Sequence, residues 1–307
     1  MRKFKIVVTN SQDLSVAQIE RLESLGDVKF FNPLPKSKSD YLEIIKGADI
    51  ICSGTAGLDV AYPELKNCYV TVNFVSVAFL DLDLMKNNNV TVSNAPGINK
   101  ESVTEWIIWM LLEISRDFTR FLNSKEEFRK DGALPPVNMG LLGKNLLVLG
   151  GGHIGGRIAE VSEALGMRVN VFRRGDNLLS LSGDVDFIIN TLPENPDTKG
   201  LLNEEFFSST KKGSSFISIS RNQTLNLNAL IKSVQSRHTY KAALDFADIL
   251  VGDTGNADYL KCLKIDNILC TPHIAYNAQS SIKNGNDMMM DNVEAFIKGK
   301  PQNVLNP

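Results

Sequence analysis

The 307-residue sequence predicts an α/β protein built on two mainly parallel sheets. Three observations carry this expectation. Short β-rich runs alternate with helical stretches along the chain; the alternation breaks once, at "NAPGINKES", and then resumes; and the second series opens on a turn with five glycines in the seven positions Gly150 to Gly156.

The first series starts with "KIVV" at Lys5, followed by the helical stretches "SVAQIERLESLG" and "SDYLEIIKGA", and continues with the strands "DIICS", "YVTVNFV" and "VTVSN". "KNNN" at Lys86 to Asn89 reads as a polar turn. Pro96 and Gly97 then interrupt the pattern before a long helix over about Val103 to Leu122, with Ser102 and Glu105 spaced as a capping box. This helix is expected to bridge two domains. The second series runs through "NLLVLG", "RVNVF", "DFIINTL", "SSFISIS", "YKAALD" and "NILCTP", the βαβ rhythm of a nucleotide-binding sheet. A last helix is expected over about Ser280 to Lys298, with Ile282, Met289, Val293, Phe296 and Ile297 as its packing stripe. The Met288 to Met290 triplet belongs with that core, and the tail after Gly299 is expected to return to the first domain, making it discontinuous.

Composition narrows the function. The chain is 43% hydrophobic and 22% charged, with a formal charge of -2 and a pI near 6.0, so it lacks the excess of Lys and Arg that nucleic-acid binding requires. Cys52, Cys68, Cys262 and Cys270 form no CxxC pair and no dense disulfide framework, which predicts a reducing cytoplasm and no metal site. The amino-terminal apolar run is too short for a secretion signal, and "WIIWMLLEI" meets Glu113 well before a membrane span is complete. A small-molecule partner is expected.

The glycines point to its class. Gly150, Gly152 and Gly155 give G-x-G-x-x-G between an apolar strand ending at Leu149 and the helical "RIAEVSEALG". The first glycine permits the tight turn, the second close approach of a pyrophosphate, the third close packing of helix on strand. His153 and Ile154 lie between the second and third, where His153 faces phosphate rather than substrate. After "NVF", where a carboxylate would accept from a ribose 2′-hydroxyl, stand Arg173 and Arg174. Guanidiniums there suit a 2′-phosphate, so NADP(H) is favoured with NAD(H) possible; two solvated arginines at a strand end are the plainer alternative.

Taken in order, "LKNCYVTV", "NAPGINKESVTE", "GGGHIGG", "LPENPDTKGLL", "FISISRNQTLNLNAL", "ALD" and "TPHIA" give a sequence that resembles the D-isomer-specific 2-hydroxyacid dehydrogenase family over nearly its whole length. The resemblance implies two Rossmann-like domains: a doubly wound parallel sheet binding the dinucleotide over 99–274, and a discontinuous flavodoxin-like substrate domain over 1–98 and 275–307. It further implies an active site in the cleft between domains, and a homodimer. Arg221 in "SISR" is similar to the family's substrate arginine, and His273 in "TPHIA" to its general acid. Asp245 resembles the aspartate near the nicotinamide, Leu192 and Pro193 fall in the cofactor-side "LPEN" segment, and the amides of Ser76 and Val77 match the loop that cradles the substrate carboxylate. Ser76 replaces the usual glycine, and "TAGLD" at Thr55 to Asp59 is a decoy for this loop. Phe74, Phe246 and Leu250 hint at an apolar pocket lining.

One departure concerns the histidine. Where the family places its paired glutamate, five residues after Asp245, stands Leu250, with Asp248 and Asp253 as substitutes only if the loop is rearranged. Ketoacid reduction is therefore expected to fall off at lower pH than is usual for the family. The implied activity is reduction of a small 2-ketoacid such as glyoxylate or hydroxypyruvate, with a phosphoglycerate dehydrogenase-like enzyme or a weakly catalytic dinucleotide sensor as alternatives.

Overall fold

Strand alternation builds both sheets of the computed structural model, which describes residues 3–9, 14–123, 138–249 and 251–307. The chain divides into two units, Met1–Asn99 with Ala278–Pro307, and Lys100–Asn277.

In the first unit, β1 (Lys5–Val8), β2 (Asp27–Phe30), β3 (Ile50–Ser53), β4 (Tyr69–Val72) and β5 (Thr91–Ser93) form a parallel sheet of order β2-β1-β3-β4-β5. Successive side chains point to opposite faces. Val7, Ile51, Val70, Val72 and Val92 accordingly pack on one side with Tyr41, Leu58 and Met85, whereas Ile6, Val8, Ile50, Cys52 and Tyr69 meet Met289, Met290 and Val293 on the other. Those last three come from the helix Gln279–Ile297. Phe296 and Ile297 pack against the same cluster, while Ile282 is only half-buried and the buried stripe also takes Ser281, Gly285, Asn286 and Asn292. The tail runs beside β5, where Leu305 N–H donates to Val92 O at 2.9 Å and Ser93 Oγ to Gln302 O at 2.7 Å.

β2 has no counterpart among the strands read from the sequence. It is a four-residue edge strand with alternating exposed and half-buried positions, directly after Gly26, too short and too polar to stand out from the helix before it.

The second unit holds β6 (Asn145–Leu149), β7 (Arg168–Phe172), β8 (Phe187–Asn190), β9 (Ser215–Ser218), β10 (Ala242–Asp245) and β11 (Ile268–Thr271), all parallel in the order β11-β10-β9-β8-β6-β7. Leu147 and Leu149 enter a core with Phe206, Phe216 and Leu230; Leu146 and Val148 enter another with Trp106, Ile107, Met110 and Ile158. Both faces are buried, as a doubly wound sheet requires.

The helix expected over Val103 to Leu122 is two helices, Lys100–Arg116 and Phe118–Asn123. Asp117 between them adopts φ 51°, and its carboxylate accepts from Tyr240 Oη at 3.2 Å and pairs with the buried Lys241 ammonium. The expected capping box also differs: the helix already begins at Lys100, so Ser102 is buried inside its first turn. A capping box does close at Ser15 and Gln18, where each side chain accepts the other's backbone N–H. No described helix is long and apolar enough to cross a membrane, and no group of three His, Cys, Asp or Glu among the described residues could hold a metal ion.

Candidate active site

The carboxyl edge of the second unit's sheet collects most of the residues singled out from the sequence. β6 ends in the glycine turn, which feeds the helix His153–Ala164. Gly150 takes φ +102°, a conformation that L side chains rarely adopt. A Cβ on Gly155 would stand 1.9 Å from Gly150 O and 2.9 Å from Thr191 Oγ1, so only hydrogen lets helix and strand approach. A Cβ on Gly152 would meet nothing within 4 Å, and the helix it begins has no side-chain cap. Open space over uncapped amides at a helix start fits a pyrophosphate. The turn therefore suits a dinucleotide, held by the amides around Gly152, His153 and Ile154. His153 is exposed at the first helical position; the Ile154 side chain packs against the core, leaving only its backbone to a ligand.

Arg173 and Arg174 follow β7. Gly151 lies under the Arg173 side chain, its absent Cβ 4.0 Å from Arg173 Nε, and Arg173 N–H donates to Asp176 Oδ2 at 2.7 Å. The Arg174 guanidinium pairs with Asp197 at 2.7 Å but is 87% exposed, open to an added anion. Of the segment after β8, Leu192 is buried in the core and its N–H donates to Asn190 Oδ1, so its side chain is part of the scaffold. Pro193 is exposed.

Arg221 follows β9 and His273 follows β11, with β10 between them in the sheet. Two strand spacings separate those strands by about 10 Å. Arg221 Nε lies 3.8 Å from Glu194 Oε2, a neighbour the sequence did not suggest. His273 has φ 57°, and its Nδ1 is 2.9 Å from Ile249 O. A carbonyl oxygen only accepts, so Nδ1 carries the hydrogen and Nε2 is left for proton exchange. The Tyr276 ring meets the imidazole edge-on at 5.8 Å.

That carbonyl meets the ring nitrogen on which the family resemblance would place a glutamate. Asp253 is engaged in its own turn, accepting from Gly255 N–H at 2.8 Å, and Asp248 is exposed. Leu250 lies outside the described residues. Asp245 shapes the loop from below: Oδ1 accepts from Thr271 Oγ1 at 2.6 Å and Ile274 N–H at 2.9 Å, and Oδ2 from Ala275 N–H at 3.0 Å. Its carboxylate is thus a brace on both sides of His273. Phe246, expected to line a pocket, is core, 5.6 Å edge-on from Tyr259.

Ser76 and Val77 belong to the first unit, on the loop after β4. Asn94 Nδ2 donates to Val75 O at 2.6 Å and Leu80 N–H to Val77 O at 2.9 Å, fixing the loop while Ser76 stays exposed. Phe74 packs toward Phe79 and the core of this unit.

Comparisons with known proteins agree with this architecture. Glycerate dehydrogenase of Methylorubrum extorquens is 26% identical over 298 residues, covering 94% of this chain and 87% of that enzyme. D-3-phosphoglycerate dehydrogenase of Escherichia coli is 29% identical over 216 residues, 67% of this chain but only 52% of its own length, so the chain matches about half of that enzyme. An acyclic imino acid reductase solved with NADPH and D-Arg shares the fold, with a TM-score of 0.81 at 21% identity over 98% of this chain and 99% of its own. The family model for the NAD-binding domain of D-isomer-specific 2-hydroxyacid dehydrogenases matches residues 108–275, more than half of the chain and nearly all of the second unit. The chain belongs to that family of nicotinamide-dependent oxidoreductases, which act on CH–OH groups.

Proposed function

We propose that the protein is an NADP(H)-dependent reductase of small 2-ketoacids such as glyoxylate or hydroxypyruvate, equivalently a D-2-hydroxyacid dehydrogenase. The observation that carries this reading is the histidine held with Nδ1 on the Ile249 carbonyl, two strands from Arg221 along one sheet edge. When bound, the dinucleotide supplies hydride from its nicotinamide ring. Arg221 binds the substrate carboxylate through its planar fork and stabilises negative charge growing on the ketone oxygen. His273 gives its Nε2 proton to that oxygen and recovers one afterwards; in the reverse direction the neutral ring takes it. The glycine-turn amides hold pyrophosphate, and Arg173 and Arg174 the 2′-phosphate.

Exposed Trp109, Leu112, Phe118 and Phe121 on the two consecutive helices of the second unit support a homodimer through that unit. Four free cysteines, with burial pushing the Cys52 thiol up to about 12, suit a cytoplasmic protein.

The test follows NADPH and NADH oxidation with a panel of 2-ketoacids. Turnover is expected with NADPH preferred, abolished in Arg221→Ala, and the preference reduced on the order of 10-fold in Arg173→Ala/Arg174→Ala. Tight NADPH binding without turnover on any ketoacid would instead mark a dinucleotide sensor.

A further inference from the structure

We propose that Glu194 sets the charge the site admits, favouring 2-ketoacids with one anionic group over those that carry a second, such as a phosphate. The inference rests on the reading of Arg221 as the holder of the substrate carboxylate.

Glu194 and Arg221 come from neighbouring connections at the same sheet edge. β8 and β9 pair in register as far as Asn190 and Ser218, and Glu194 and Arg221 follow four and three residues beyond those ends. The connections are tied together and fixed locally. Ser220 Oγ lies within 3.3 Å of Asn190 O and 2.9 Å of Leu192 O, either of which it can donate to. On the far side, Thr198 Oγ1 donates to Pro193 O at 2.6 Å and accepts from Asn195 N–H at 3.1 Å. Glu194 therefore projects from backbone anchored on both sides, and its carboxylate stands 3.8 Å from the guanidinium with the two side chains 30% and 36% exposed.

Any carboxylate seated on Arg221 thus lies within a few ångströms of a second carboxylate. The guanidinium has five donors and can serve both, so a singly charged ketoacid is accommodated. A phosphate adds nearly two further charges at neutral pH. In a three-carbon ketoacid the phosphate is only a few bonds from the carboxylate, so the repulsion from Glu194 reaches it too, weakened by distance and by a Debye length of about 8 Å. Since it scales with that charge, the penalty falls mainly on the phosphorylated acid.

The experiment compares kcat/KM for hydroxypyruvate and 3-phosphohydroxypyruvate at saturating NADPH in wild type, Glu194→Gln and Glu194→Asp, at low and high salt, with melting curves to verify folding. Glu194→Gln is expected to raise kcat/KM for the phosphorylated acid by ~10-fold or more, mostly through KM, and for hydroxypyruvate by ~3-fold or less. The gain should shrink in high salt, and Glu194→Asp should keep the wild-type ratio. Turnover with an unchanged ratio in a folded Glu194→Gln protein overturns this proposal alone. Absence of turnover of either acid by wild type overturns the ketoacid-reductase reading and this proposal with it.

Discussion

At the residue scale a neutral carbonyl orients the histidine ring, and a buried carboxylate shapes the loop that carries it. The Ile249 carbonyl fixes which ring nitrogen bears hydrogen, and Asp245, itself buried, holds the chain on both sides of His273 through Thr271, Ile274 and Ala275. Asp245→Asn keeps the shape but turns an N–H toward the Ala275 N–H or toward the other two donors, whichever way the amide is placed. A buried donor without an acceptor costs about 1–3 kcal/mol. If that displaces the histidine loop, kcat should fall ~10- to 100-fold while the dissociation constant for NADPH, read by fluorescence titration, moves less than ~3-fold. Equal losses in both would mark Asp245 as a direct cofactor contact.

Elements show what a sequence can and cannot reveal. Ten of the eleven strands coincide with apolar or β-rich runs read in advance, because strands buried on both faces need uninterrupted apolar sequence. β2 escaped because an edge strand of four residues needs little apolar surface. The break at Asp117 escaped because Tyr240 and Lys241, more than a hundred residues away, supply its reason. Of the site, Arg221 and His273 were legible as side-chain types, whereas a carbonyl such as that of Ile249 has no sequence signature, and Glu194 acquires meaning only once β8 and β9 are neighbours. The glycine turn is legible and divisible by experiment. Gly155→Ala drives a methyl into the Gly150 carbonyl, so the protein should lose about 1–3 kcal/mol of stability as well as dinucleotide affinity. Gly152→Ala has open space and φ -71°; its melting curve should match wild type while NADPH binding weakens ~10-fold or more. A Gly152→Ala protein that binds normally would show that no phosphate approaches there.

At the scale of the whole molecule, the first unit is assembled from the two ends of the chain, so its stability depends on the helix Gln279–Ile297 staying docked. Apolar packing does most of this, through Met289, Met290 and Val293, all fully buried. A charged seam runs alongside: Arg21 donates from Nε to Glu294 at 2.7 Å and from Nη2 to Asp291 at 2.6 Å, and Gln18 Nε2 donates to Asp287 at 2.6 Å. The Arg21 hydrogen bond lowers the Glu294 carboxyl below its ordinary value, against a smaller upward push from burial. For Asp287 burial pushes upward, but Lys283 and Gln18 more than offset it and the carboxyl is lowered. A carboxyl lowered in the folded state contributes stability that is full above its unfolded value, about 4.3 for Glu, and is lost as pH falls through the folded value. Glu294→Gln should therefore be less stable than wild type at pH 7 by only about 0.5 kcal/mol, since the pair is solvent-screened. The two unfolding curves should converge as pH falls below about 4, and the gap at pH 7 should narrow in 1 M salt. A gap that persists under both conditions would mean that Glu294 holds the helix by packing its stem, and that the acid sensitivity of this unit has another origin.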